Sequence, residues 1–131
     1  MKQTIIFLTL FSAILYACQK KDNTTPDASK VVINVTSPTS GQVYHTGDSI
    51  RINATISYQS ELHGYEVKIT DTVSGNVLYN KAEHTHNDHF EINDAIQSTG
   101  SVPLYLKLEI TTEIDHAGND AERAVSFRYE P

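Results

Sequence analysis

An all-β fold, a sandwich or a barrel of about seven short antiparallel strands, is predicted for residues 30–131. Three observations carry that prediction. Apolar residues recur at every second position in short runs, the period of a strand with one buried face. Clusters of Gly, Pro, Asn, Asp and Ser separate the runs, and these residues favour turns. Helical periodicity is almost absent: only Asn93-Asp94-Ala95-Ile96 reads as a single helical turn, stopped by Gly100. A parallel sheet would need crossover helices that are not there.

The elements follow in order. Val31 to Thr36 reads as the first strand, and Ser37-Pro38-Thr39-Ser40-Gly41 ends it. After the Gly47-Asp48 turn, Ser49 to Ser57 alternates, with Ile50, Ile52, Ala54 and Ile56 on one face and Arg51, Asn53, Thr55 and Ser57 on the other. Tyr65 to Thr70 repeats the pattern with Val67 and Ile69 inward. Ser74-Gly75-Asn76 has the chemistry of a hairpin turn, and Val77 to Glu83 follows as an edge strand. Phe90 and Ile92 point inward from the next strand. Leu104, Leu106, Leu108 and Ile110 form the longest apolar face, and Val125, Phe127 and Tyr129 close the sheet after the turn Asp115-His116-Ala117-Gly118-Asn119. Asp115 falls out of phase with the leucines, which predicts a bulge or register shift between Thr111 and Ile114. Tyr65, Tyr79, Tyr105 and Tyr129 fall in strands as core or rim residues; Tyr44 and Tyr58 fall in links, where they could instead contact a partner.

The N-terminal residues read as an address rather than as part of the fold. Lys2 precedes an apolar run from Ile5 to Leu15, broken only by Thr9 and Ser12. A bilayer-spanning helix needs about 20 residues, so this run fits an export signal over residues 1–17. It ends in Leu15-Tyr16-Ala17-Cys18, which resembles the lipobox of bacterial lipoproteins. That resemblance implies cleavage before Cys18, a covalent lipid on its thiol, and an outer membrane lipoprotein facing the periplasm or the cell surface. Cys18 is the only cysteine, so no internal disulfide is possible and no cysteine nucleophile remains. Residues 18–29 are polar, with a proline and no aromatic residue, and read as a flexible tether. Losing Lys2 with the signal takes the formal charge from −6 to −7. That acidity argues against nucleic acid and against anionic lipid surfaces, and is compatible with cations.

Two turn motifs carry a further resemblance. Ser37-Pro38-x-x-Gly41 followed by Gly47-Asp48-Ser49-Ile50 resembles the opening of bacterial immunoglobulin-like domains, and Asp115-x-Ala117-Gly118-Asn119 resembles their last hairpin. The resemblance runs from Lys30 to Tyr129, and the whole chain is similar to immunoglobulin-like lipoproteins of Gram-negative bacteria. It implies an immunoglobulin-like antiparallel β-sandwich of about seven strands. In such folds alternate links share a pole. The links holding His63, the segment His84 to His89, and His116 would then meet at one end, and His45 would lie at the other.

That gathering is where chemistry is expected. Neutral imidazoles bind zinc or copper at about 2.0–2.1 Å when three or four converge. On an extended segment His84 and His86 share a face, about 6.6–6.8 Å apart. His89 has the opposite parity and joins them only if Asn87-Asp88 turns. His63 or His116 would add a ligand, and Asp88 or Asp115 would ligate or orient an imidazole; Asp115 reads first as a turn former. The candidate metal set is thus His84, His86, His89, His63, His116 and Asp88.

His84-Thr85-His86-Asn87-Asp88-His89 also matches H-x-H-x-D-H, which resembles the metal signature of the metallo-β-lactamase superfamily. That fold needs a longer αββα chain and several later ligands, whereas here only His116 follows among the histidines. No G-x-S-x-G elbow or glycine-rich phosphate loop occurs. A metal-binding envelope lipoprotein is therefore expected rather than an enzyme. The alternative is a metal-free adhesion or scaffold module that binds a protein or glycan partner.

Overall fold

The computed structural model of the protein describes residues 26–131. The expected signal at 1–17, the expected lipidation site Cys18 and the expected tether up to residue 25 lie outside the described residues. The described chain opens with a short 3-10 turn, Ala28–Lys30, capped by the Asp27 side chain. The Asp27 backbone N–H also donates to the Tyr58 hydroxyl, 3.1 Å away, so the last residues of the expected tether are fastened to the domain.

Eight strands follow: β1 (Val32–Ser37), β2 (Val43–His45), β3 (Ser49–Leu62), β4 (Gly64–Asp71), β5 (Val77–Glu83), β6 (Asn87–Gln97), β7 (Leu104–Glu113) and β8 (Asp120–Glu130). They form two sheets. One has the order β1-β3-β6 and the other β2-β8-β7-β4-β5. All neighbours are antiparallel except β2, which lies parallel to the end of β8. This is the expected immunoglobulin-like two-sheet sandwich, with β2 added as an eighth, three-residue strand.

The core is the sum of the inward positions that the alternation marks. Ile50, Ile52 and Ile56 of β3 face Val67 and Ile69 of β4 and Leu106, Leu108 and Ile110 of β7, each at most 2% exposed. Each such side chain contributes about 1.5–3 kcal/mol relative to exposure. Tyr44, read as able to contact a partner, is instead 6% exposed and meets Phe127 edge to face at 5.8 Å. Pairing β2 with β8 turns that ring inward. Tyr58 is half-buried against the core, and it is Tyr105 that stands in solvent.

Two further expectations are corrected. Asn93 to Ile96 is not a helical turn: β6 runs straight through it, with Asn93 opposite Asn53 and Ile96 opposite Ile50. Asp94 occupies an inward phase there because Lys81 of β5 reaches it at 3.1 Å, an ion pair across the open side of the two sheets. The bulge expected after Thr111 is absent, since β7 and β8 stay in register from Leu104–Tyr129 to Glu113–Asp120. The leucine phase continues through Thr112, fully buried, to Ile114, 4% exposed. Thr112 is tolerated in the core because its hydroxyl donates to the Gly64 carbonyl at 2.7 Å.

A three-histidine pole

Three links meet at one end of the sandwich: His63 between β3 and β4, residues 84–86 between β5 and β6, and residues 114–119 between β7 and β8. Each is shaped by identifiable local features. In β3 the pairing with β6 slips: residues 58–61 lie between Ser57 and Leu62, while only Asp88 lies between their partners His89 and Asn87. Such a bulge bends the strand and re-aims its side chains. His63 follows directly, its backbone N–H bonded to the Glu113 carbonyl at 2.8 Å. Gly64 comes next at φ 141°, backed against the chain of β5. A Cβ at that position would collide with the Glu83 carbonyl and stand 3.1 Å from the His84 Cα. Only glycine lets the first two links approach this closely.

The third link is a turn built by Asp115. Its carboxylate accepts the Ala117 N–H at 2.8 Å, the Asn119 N–H at 3.2 Å and the Asn119 side-chain amide at 2.7 Å. The bond from the Asn119 side chain, first among these, holds the Asp115 carboxyl below its usual pKa. Asp115 is therefore the turn former that its motif suggested, and His116 rides on the turn.

The outcome is a cluster of imidazoles around His63. Its ring centroid lies 4.6 Å from that of His86 and 4.1 Å from that of His116, both edge-on. One ligand atom from each of His63, His86 and His116 lies within 4.8 Å of the others. Three tetrahedral ligands of one zinc ion sit about 3.3 Å apart, so the ligand atoms would close by up to about 1.5 Å, with some turning of the rings, to share an ion. His63 is half-buried, and its Nδ1 is buried without a hydrogen-bond partner. Burial first, then the adjacent His116 and His86, depress its pKa below the usual histidine value, which keeps the ring neutral and its lone pair free. The His86 Nδ1 lies 2.9 Å from the Glu61 carboxylate.

The other expected residues fall at or beyond the margin. His84 has its ring 5.4 Å from His86 and 6.1 Å from His116, outside the trio but beside it. It lines a groove of about 300 Å³ with Glu66, Glu83, Glu113 and Asp120, a negative wall that favours approaching cations. His89 and Asp88 are outside the group. Asn87 and Asp88 begin β6 instead of turning, so His89 stays on the strand opposite Ser57, its Nε2 3.7 Å from Glu91. His45 is at the far pole as expected, with its Nδ1 3.2 Å from the Glu130 carbonyl. Glu61 and Gly64 carried no site signal in the sequence beyond their closeness to His63.

No protein-family model matches the chain, and no curated protein sequence matches it. Among solved structures it is similar to the fibronectin(III)-like modules of Clostridium thermocellum CbhA, at 15% identity and a TM-score of 0.46, over 75% of this chain and 94% of that one.

Proposed function

We propose that this protein is a lipid-anchored envelope lipoprotein whose histidine pole binds one divalent metal ion, zinc or copper. His63, His86 and His116 are the ligands, and His84, beside the trio, would complete the shell by swinging toward it. The observation that carries the reading is the convergence of three imidazole ligand atoms within 4.8 Å, drawn from three separate links. The partnerless His63 Nδ1 supports it, because a buried polar nitrogen without a partner costs free energy, which a bound cation would offset if that nitrogen carries the lone pair. The metal would tie together links from both sheets, so it would be held by the folded state alone and would stabilise it.

The test is thermal unfolding with zinc, with copper and with a chelator. Metal at about a hundredfold excess over Kd should stabilise the fold by about 2.7 kcal/mol. A melting temperature indifferent to all three would favour the second reading, a metal-free adhesion or scaffold module. That reading draws on the opposite pole, where Val73 is 77% exposed and Tyr105 54%. The Thr72 N–H bonds the Tyr105 carbonyl there at 2.8 Å, which ties the β4–β5 turn to the start of β7. The anchor rests on the Cys18 lipobox. Incorporation of labelled fatty acid into the chain, lost in Cys18→Ser, tests it independently of the metal.

A further inference from the structure

We infer that Glu61 is a positioning residue of the histidine pole, selecting which nitrogen of His86 faces the cluster. The inference deepens the metal reading and takes its functional meaning from it. The Glu61 Oε1 lies 2.9 Å from the His86 Nδ1, between residues 25 positions apart in sequence. An ionised carboxylate can only accept a hydrogen bond, and a neutral imidazole carries one N–H. The proton of His86 is therefore held on Nδ1, and the lone pair is left on Nε2. A solvated histidine of this exposure has no such constraint, and its tautomer is set by whatever its other nitrogen bonds.

The fold is built to make this contact. In β3 residues 58–61 stand against the single residue Asp88 of β6, so the strand bulges outward just before Leu62. Leu62 is then paired with Asn87, the residue after His86, and Glu61, at the end of the bulge, lies beside that ring. The carboxylate also does what outer-shell partners of metal-bound histidines generally do: it fixes ring orientation and raises ligand basicity. Both partners are well exposed, with side chains 42% and 59% accessible. Loss of the contact should therefore fall near the lower end of the usual 10–100-fold effect on metal affinity, about tenfold.

The experiment uses the full chain in mild detergent, as wild type, Glu61→Ala and Glu61→Gln. The first readout is the tautomer of His86, read from imidazole 15N shifts without metal at about pH 8, where histidine is neutral. Wild type should carry the proton on Nδ1. Glu61→Gln should keep it there, because the amide oxygen also accepts, and Glu61→Ala should shift His86 toward the Nε2–H form. The second readout is zinc affinity, expected to fall about tenfold in Glu61→Ala and to be largely restored in Glu61→Gln. A wild-type His86 protonated on Nε2, or a tautomer unchanged in Glu61→Ala, overturns the inference even if zinc binds. The expected tautomer pattern with no zinc binding in any variant leaves the positioning role standing and removes the metal reading instead.

Discussion

Substitution of Gly64 by alanine tests how the histidine pole is assembled. Gly64 sits at φ 141°, in a region that residues with a Cβ enter only at a cost of about 1–3 kcal/mol. The added methyl would also strike the Glu83 carbonyl and press on the His84 Cα at 3.1 Å and the Glu83 carbonyl carbon at 3.3 Å. These are backbone atoms, so the contact cannot be relieved by a side-chain rotation. Either β4 must retreat from β5 or Gly64 must change its backbone angles. Both disturb the hydrogen bond from the buried Thr112 hydroxyl to the Gly64 carbonyl, which contributes about 0.5–1.5 kcal/mol. Together the effects come to about 2–4 kcal/mol. At about 4–8 °C per kcal/mol for a domain of roughly this size, the melting temperature should fall by about 8–30 °C. Circular dichroism against temperature, with a urea titration to check that the m-value is unchanged, measures it. Zinc affinity measured well below the new midpoint should fall as well, because the same shift separates His63 from the link carrying His86. A variant melting within about 2 °C of wild type would refute this account of the close approach.

Other consequences can be checked with the same assays. Thr112→Val keeps the shape but leaves the Gly64 carbonyl without its donor, and should cost about 1 kcal/mol in urea denaturation. His89→Ala and Asp88→Ala should leave zinc affinity unchanged in calorimetric titration, since both residues lie on β6 outside the trio. The depressed pKa of His63 makes stability pH-dependent. Its contribution is fully present above the unfolded value of 6.5 and is lost as pH falls through the lower folded value, because the unfolded chain takes the proton first. The wild-type urea midpoint should therefore decline between about pH 7 and 5, and His63→Ala should decline less; equal declines would contradict the assignment. Metal affinity should weaken over the same range, as protons compete for the imidazole lone pairs.

Much of the fold is legible in the sequence where inward positions are apolar. Ile50, Ile52, Ala54 and Ile56 alternate in the sequence and are buried in the sandwich. Legibility fails where a polar side chain takes an inward place with a partner from another strand. Asp94 is paired with Lys81, and its inward place in β6 made a strand resemble a helical turn; Thr112 is paired with Gly64 and keeps the inward phase of β7, while Asp115, whose parity suggested a bulge, lies beyond the ladder in the turn. The pole was legible as topology, because alternating links of an antiparallel sandwich share an end. Which histidines share an ion was not. That depends on the slip of β3 against β6, on the approach allowed by Gly64, and on residues 84–86 forming a link rather than a strand, all of which are tertiary. Parity reasoning on an assumed extended segment paired His84 with His86, whereas the fold pairs His86 with His63 and His116.

Calorimetric titration of zinc into the wild-type chain and into His63→Ala, His86→Ala and His116→Ala bears most directly on the metal reading. One ion should bind per wild-type chain, and each substitution should weaken binding by more than the 10–100-fold typical of losing an outer partner. Wild-type heat that persists undiminished when all three rings are removed together, or no zinc-dependent heat at all, would contradict it.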